Sequence, residues 1–190
     1  DSSGNVYVVG VTYGELGSKK WGNSDLFVVK YNSSGTRQWI RQHGSGSWDE
    51  ARGVATDSSG NVYVVGGTKG DKLNAVYIGY NMTEIFVIKY NPSGEMLWTK
   101  VLGTWKKDFA NAVNIDSSGN IYVAGATERD LVAECKKHKD ECDKFGGKDD
   151  LFVVKFDSKG KKQWTKQLWT KRNDRATGVA TGSSGNVYVT

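Results

Sequence analysis

A polar turn followed by a short apolar strand recurs along the chain. Asp1-Ser2-Ser3-Gly4-Asn5 leads into Val6-Tyr7-Val8-Val9-Gly10, and Asp57-Ser58-Ser59-Gly60-Asn61 leads into Val62-Tyr63-Val64-Val65-Gly66. Asp116-Ser117-Ser118-Gly119-Asn120 and Ile121-Tyr122-Val123-Ala124-Gly125 repeat it, and Gly182–Thr190 begins it a fourth time. A second apolar strand follows each copy: Leu26–Tyr31, Ile85–Tyr90 and Leu151–Phe156. A tryptophan comes next at Trp39, Trp98 and Trp164, then a small-residue segment starting at Ala51, Ala110 and Ala176. Self-similarity at this period outranks every other signal, because it fixes the architecture.

Spacing separates the rigid parts from the variable ones. Phe27, Phe86 and Phe152 each precede their tryptophan by 12 residues, and each tryptophan precedes its alanine by 12. The alanine precedes the next turn by 6 in every unit. Only the step from turn to phenylalanine varies, at 26, 29 and 36 residues. The constant parts predict four strands per unit. Ala51–Thr56 is the first, small-residued for a crowded place. Asp57–Gly60 is a tight turn, since Asp and Ser bond local backbone and Gly accepts positive φ. Asn61–Val65 is the second strand and Ile85–Tyr90 the third, both rich in β-branched and aromatic residues. After a second turn, Asn91–Gly94, the fourth strand carries the tryptophan between charged neighbours, as in Lys162-Gln163-Trp164-Thr165-Lys166. Charge there suits an outer edge strand that must not recruit partners.

Four antiparallel strands, small residues on the first and charge on the last, describe a β-propeller blade with its first strand at the axis. The fold class is therefore all-β, one array over 1–190 with units 1–56, 57–115, 116–181 and a partial 182–190. In blade order the chain reads strands 2-3-4, then 1-2-3-4 twice, then 1-2. That is about three blades, fewer than the four to eight of a closed ring, so one chain holds an incomplete ring. Either the array is an excerpt of a longer propeller, or other copies complete it as a ring or an open filament.

The succession Asp-Ser-Ser-Gly-Asn-Val-Tyr-Val, Leu-Phe-Val-Val-Lys-Tyr, Trp and Ala-x-Gly-Val-Ala-x-Asp resembles the SBBP type of β-propeller repeat over nearly the whole chain outside the variable loops. The resemblance implies a bacterial or archaeal protein, exported or attached to a surface. It brings no shared catalytic residues. This chain departs from the pattern in having longer, more charged connections between the second and third strands.

Composition adjusts the picture in a few places. Only 37% of residues are hydrophobic, yet there are 7 Trp, 9 Tyr and 6 Phe, so aromatics supply much of the core. The net charge of +5 comes from lysines scattered along the chain rather than gathered on one element, which argues against nucleic acid. No apolar run reaches the ~18 residues of a membrane span.

The connections 11–25, 67–84 and 126–150 fall on one face, together with 43–50, 103–109 and 169–175; the Asp-Ser-Ser-Gly turns fall on the other. Loops on a rigid scaffold are the usual place for function. Trp21, Trp48, Trp105 and Trp169 are the candidate contact residues of that rim, for a glycan or a protein. The alternative is that these rings merely pin long loops to the blade tops. Cys135 and Cys142 form a candidate disulfide suited to an exported protein; if their loop were helical, Cys135, His138 and Cys142 would instead share a face as soft-metal ligands. Asn32 and Asn81 head Asn-x-Ser/Thr sequons and are candidate glycosylation sites. The Asp-Ser-Ser-Gly turns lack the alternating ligands of a calcium loop. There is no nucleophile elbow and no phosphate loop, and nothing in the sequence fixes a separation for the rim carboxylates Asp49, Glu50, Asp149 and Asp150. The reading is a non-catalytic, extracellular or surface propeller with no cofactor, structural or adhesive, whose partners are further blades or other copies. A carbohydrate- or protein-binding rim is the alternative.

Overall fold

The computed structural model describes residues 1–70, 72–73, 76–77, 82–104, 106–131 and 149–190, with the backbone alone for 72, 76 and 77. Every regular element among these residues is a β-strand, and no helix among them is long and apolar enough to cross a membrane. The strands β1 (Val6–Thr12), β2 (Asp25–Tyr31) and β3 (Arg37–His43) form a three-stranded antiparallel sheet. The next sheet has the order β4 (Trp48–Thr56), β5 (Val62–Lys69), β8 (Glu84–Tyr90), β9 (Met96–Leu102). Its 67–84 connection holds a small hairpin, β6 (Lys72–Leu73) with β7 (Val76–Tyr77). A second four-stranded sheet follows: β10 (Asp108–Ile115), β11 (Ile121–Thr127), β12 (Asp150–Phe156), β13 (Lys162–Leu168). The strands β14 (Val179–Thr181) and β15 (Val187–Val189) close the chain. All four sheets are open, and their strands occur in the blade order that the repeat predicts.

The turns hold because one carboxylate satisfies each of them. Oδ1 of Asp57 accepts the backbone N–H groups of Ser59 and Asn61, and Oδ2 accepts Asn61 Nδ2 and the Tyr63 hydroxyl. Asp116 repeats all four bonds with Ser118, Asn120 and Tyr122. Gly60 stands at φ 76°, where a side chain is strained. Burial pushes the Asp57 and Asp116 carboxyls up, but these donors outweigh it and the net direction is down.

The core lies between blades. Leu26 and Val28 of the first blade pack against Val62, Val64, Phe86 and Ile88 of the second. Val65 and Val87 of the second pack against Ile121, Val123, Phe152 and Val154 of the third. Middle strands are thus apolar on both faces because a neighbour covers each. Position decides the burial of identical residues. Val62 and Val64 are 0% exposed, whereas their repeat equivalents Val6 and Val8, on the outer face of the first blade, are 55% and 43% exposed.

The charged outer strand does more than discourage pairing. Trp39 Nε1 and Lys30 Nζ both donate to the carbonyl of Pro92, at 3.1 and 3.2 Å. Arg41 donates to the carbonyls of Gly94 and Ser93. These bonds latch the first blade onto the 91–94 turn of the second. Trp98 and Lys100 lie against Gly160 in the next junction. The framework tryptophan is therefore an inter-blade clamp.

The first strand differs most from its sequence expectation. It starts at Trp48, three residues before Ala51, because Trp48 bridges in parallel to Ser24. Backbone bonds reinforce this: Asn23 and Ser24 N–H to the Ser47 carbonyl, and Asp49 N–H to the Ser24 carbonyl. Asp108 N–H bonds Thr83, and Asp174 N–H bonds Asp149, in the same way. Each long connection is thus tied by a backbone bond to the segment that leads into the next blade's axial strand. The axial strands also bulge, at Ala51/Gly53 and Ala110/Ala112. Gly66 and Gly125 in the second strand permit it. A Cβ on Gly66 would lie 1.9 Å from the Glu50 carbonyl oxygen.

Candidate interaction site on the loop rim

The bulges of β4 and β10 carry Arg52 and Asn111, whose side chains reach the next blade. Arg52 Nη1 donates to Asn111 Oδ1 at 3.1 Å, and Asn111 Nδ2 donates to the Ala176 carbonyl at 2.9 Å. Arg52 also pairs with Glu50 Oε2 at 3.0 Å and stands 4.4 Å from the centroid of the Phe109 ring. A guanidinium over a ring face is attracted by the ring quadrupole. The axial mouth of the rim is therefore lined by charge and aromatic surface together.

Beneath it sits a repeated carboxylate clamp. Asp49 is fully buried. Its Oδ2 accepts the N–H and hydroxyl of Ser45, and its Oδ1 accepts the Thr68 hydroxyl. Asp108 is held identically by Thr104 and Thr127, and Asp174 accepts the Thr170 N–H. Burial pushes Asp49 and Asp108 up to about 6, against the pull of their hydroxyl and amide donors. A nearby carboxylate adds to the push, Asp25 on the first and Glu128 on the second. A raised carboxyl on a rim invites an acid–base reading. Here both oxygens are engaged by the chain's own donors, and the same clamp returns one repeat later, so its task is to fix the loop. The signal was present in the aligned repeats as Ser45…Asp49, Thr104…Asp108 and Thr170…Asp174. Reading rim carboxylates singly hides it. Of the other rim carboxylates, Asp149 is bound by the Nε and Nη2 of Arg175.

Of the candidate tryptophans, the structure describes Trp21, Trp48 and Trp169. Trp48 meets Tyr13 edge to face, with centroids 6.3 Å apart at 80°. The two rings are 50% and 65% exposed and border a cleft of about 160 Å³ that also touches Ser24, Glu50 and Phe109. Trp21 is exposed as well. Its N–H donates to the buried Asp25 at 3.0 Å, and its Cβ lies against Gly44, so it packs across the 43–47 loop. Trp169 is exposed at the far end, directly after β13. Trp105, Asn81 and the cysteine loop with Cys135, His138 and Cys142 lie outside the described residues. Asn32 is a turn residue: its Oδ1 accepts the N–H groups of Ser34 and Thr36, the role that Asp57 has in its own turn. Tyr13, Glu50 and Arg52 are the rim residues that sequence reasoning did not single out as a group, since only the bulge brings them together.

Open four-stranded sheets stacked face to face, with axial strands bulged and loops gathered at one end, define this as a β-propeller blade array. Comparison with known families agrees: the SBBP β-propeller repeat model matches residues 38–74 and 97–130. These two segments are SBBP-type β-propeller repeats. Both matches begin on a fourth strand and run past the next blade's second strand, so the family's repeat straddles two blades and includes the junction just described. Two curated proteins are similar. The regulatory protein FlaEY of Caulobacter vibrioides is 29% identical over 107 residues, 56% of this chain and 11% of that protein. A WD repeat-containing protein, L264, of Acanthamoeba polyphaga mimivirus is 28% identical over 120 residues, 55% of this chain and 9% of that protein. The chain thus matches only about a tenth of the length of either relative.

Proposed function

We propose that this chain is a non-catalytic propeller module that acts by contact, presented outside the cell or on its surface, with the axial mouth of the loop rim as its contact face. The observation that carries the reading is the Tyr13–Trp48 pair: two large rings left open to solvent on a segment that backbone bonds to Ser24 hold in place. Rigid exposed aromatics contribute most of the energy in protein contacts. Asp49, the buried carboxylate beside them, is spent on structure, which favours binding over catalysis. Export is supported by the family resemblance. The test is parallel binding of wild type and Trp48→Ala to protein and glycan libraries. Ligands lost in the variant, with an unchanged unfolding midpoint, support the rim. Ligands indifferent to Trp48, Tyr13 and Trp21 overturn it.

Self-association is a second reading, favoured by the open face of Val6 and Val8. Inside the array the same face is always covered by the preceding blade. Further blades, in the same polypeptide or on another copy, are the cover it fits. Light scattering across a concentration series tests the inter-copy form: a mass independent of concentration, unchanged by Val8→Lys, argues against it.

A further inference from the structure

The cleft beside Trp48 is built from aromatic and acidic groups, and two places in the same chain show what such a seat holds. The first is Arg52, which lies over Phe109 and pairs with Oε2 of Glu50. The second is found by following the repeat. Glu50, Phe109 and Arg175 occupy one position, each directly before the alanine of its axial strand. Ser24, Thr83 and Asp149 occupy another, each bonding the next axial strand through its carbonyl. At the last junction the chain fills these positions with Arg175 and Asp149, and the guanidinium donates Nε and Nη2 to the carboxylate. At the first junction the same two positions are Ser24 and Glu50, and no guanidinium of the described residues spans them.

We infer that the Tyr13–Trp48–Glu50 cleft is a seat for one guanidinium group, the arginine side chain of a partner protein. This rests on the rim being the contact face. The perpendicular rings form a corner in which a planar cation meets the face of one aromatic. Oε1 of Glu50 carries no bond among the described residues, while Oε2 is held by Arg52. Ser24 also lines the cleft. About 160 Å³ is well below the roughly 300–1,000 Å³ of small-molecule pockets and suits the head of one side chain. Asp49 and Glu50 both border the cleft, so it disfavours anions. Arginine fits better than lysine because its fork is planar, weakly hydrated and able to bond a carboxylate while stacked.

The test is an indole N–H titration by NMR of the whole chain, with Trp48 assigned by Trp48→Phe. The probe is a blocked Gly-Gly-Arg-Gly-Gly peptide, beside its lysine and citrulline analogues and methyl glucoside. Expected is a saturable shift of the Trp48 resonance with the arginine peptide, with the Trp169 resonance unmoved. Citrulline in the peptide, or Glu50→Gln in the protein, weakens binding at least tenfold. Glu50 is exposed, so this variant folds, and Tyr13→Ala gives an independent check on the corner. Equal binding of arginine and citrulline, a response to methyl glucoside at the same resonance, or no response to any probe overturns the inference. Failure of the rim reading looks different: Trp48→Ala would then leave every partner found by library screening bound as before.

Discussion

Asp49 and Asp108 put opposite demands on acid stability from those of Asp57 and Asp116. The first pair titrate at about 6 in the folded chain and near 3.8 when unfolded. The folded state therefore binds their protons more tightly, and the stability they bring is complete below about pH 4 and lost as the pH rises through 6. Each is buried, so the loss is about 3 kcal/mol per group at neutral pH. Asp57 and Asp116 are shifted down; their contribution is present above the unfolded value and disappears as the pH falls through their lower folded values. Urea midpoints should accordingly rise from pH 7 to about pH 4.5 and then fall. Asp49→Asn should reduce the upper slope by about half, with Asp108 keeping the rest, and leave the acid limb alone. A midpoint that climbs steadily from pH 4 to 7 in the wild type would contradict this account. Thr68→Val, which removes a donor to Asp49, should cost about 1–3 kcal/mol at pH 7 and little at pH 4.5. None of this was legible residue by residue, because a carboxylate's burial depends on which loop folds over it.

At the scale of elements the chain is easier to read. Strand identity, order and pairing follow from the alternation of turn and apolar run, and the observed register from Val62–Tyr90 to Thr68–Glu84 has no surprise in it. What sequence could not supply was the axial strand's true start at Trp48 and its bulge. Both depend on contacts outside the strand: the bridge to Ser24 and the closeness allowed by a glycine on the neighbouring strand. Trp48 was legible as an exposed aromatic; its partnership with Tyr13 and Glu50 was not, since one bulged residue decides which side chains face the mouth. The glycines give a test. Gly35 stands at φ 77° with no atom within 4 Å of a built Cβ, whereas a Cβ on Gly66 would strike the Glu50 carbonyl oxygen. Gly35→Ala carries only backbone strain, about 1–2 kcal/mol. Gly66→Ala must push the bulge away and should cost more, about 3 kcal/mol or above, while broadening the Trp48 indole resonance. Equal costs in urea unfolding would mean that the bulge gives way freely.

The molecule as a whole behaves as stacked units, each stabilised by its neighbours, so the same residue has a different weight in different blades. Val8 and Val64 are the sharpest pair. They hold the same place in the repeat, on the same face of the second strand, and differ in cover: Val64 lies under Leu26 and Val28 of the preceding blade, while Val8 stands open. Truncating the covered one removes buried methyl groups and leaves a cavity, a loss of about 2 kcal/mol. Truncating the open one should fall within about 0.5 kcal/mol. The comparison cancels propensity, turn chemistry and unfolded-state effects, because the local sequence is the same at both sites. It therefore measures the neighbour alone. If Val8→Ala proves as costly as Val64→Ala, and the cost grows with protein concentration, another copy lies on that face and the blades continue from chain to chain. If the cost is small at every concentration, the face is open in the isolated chain.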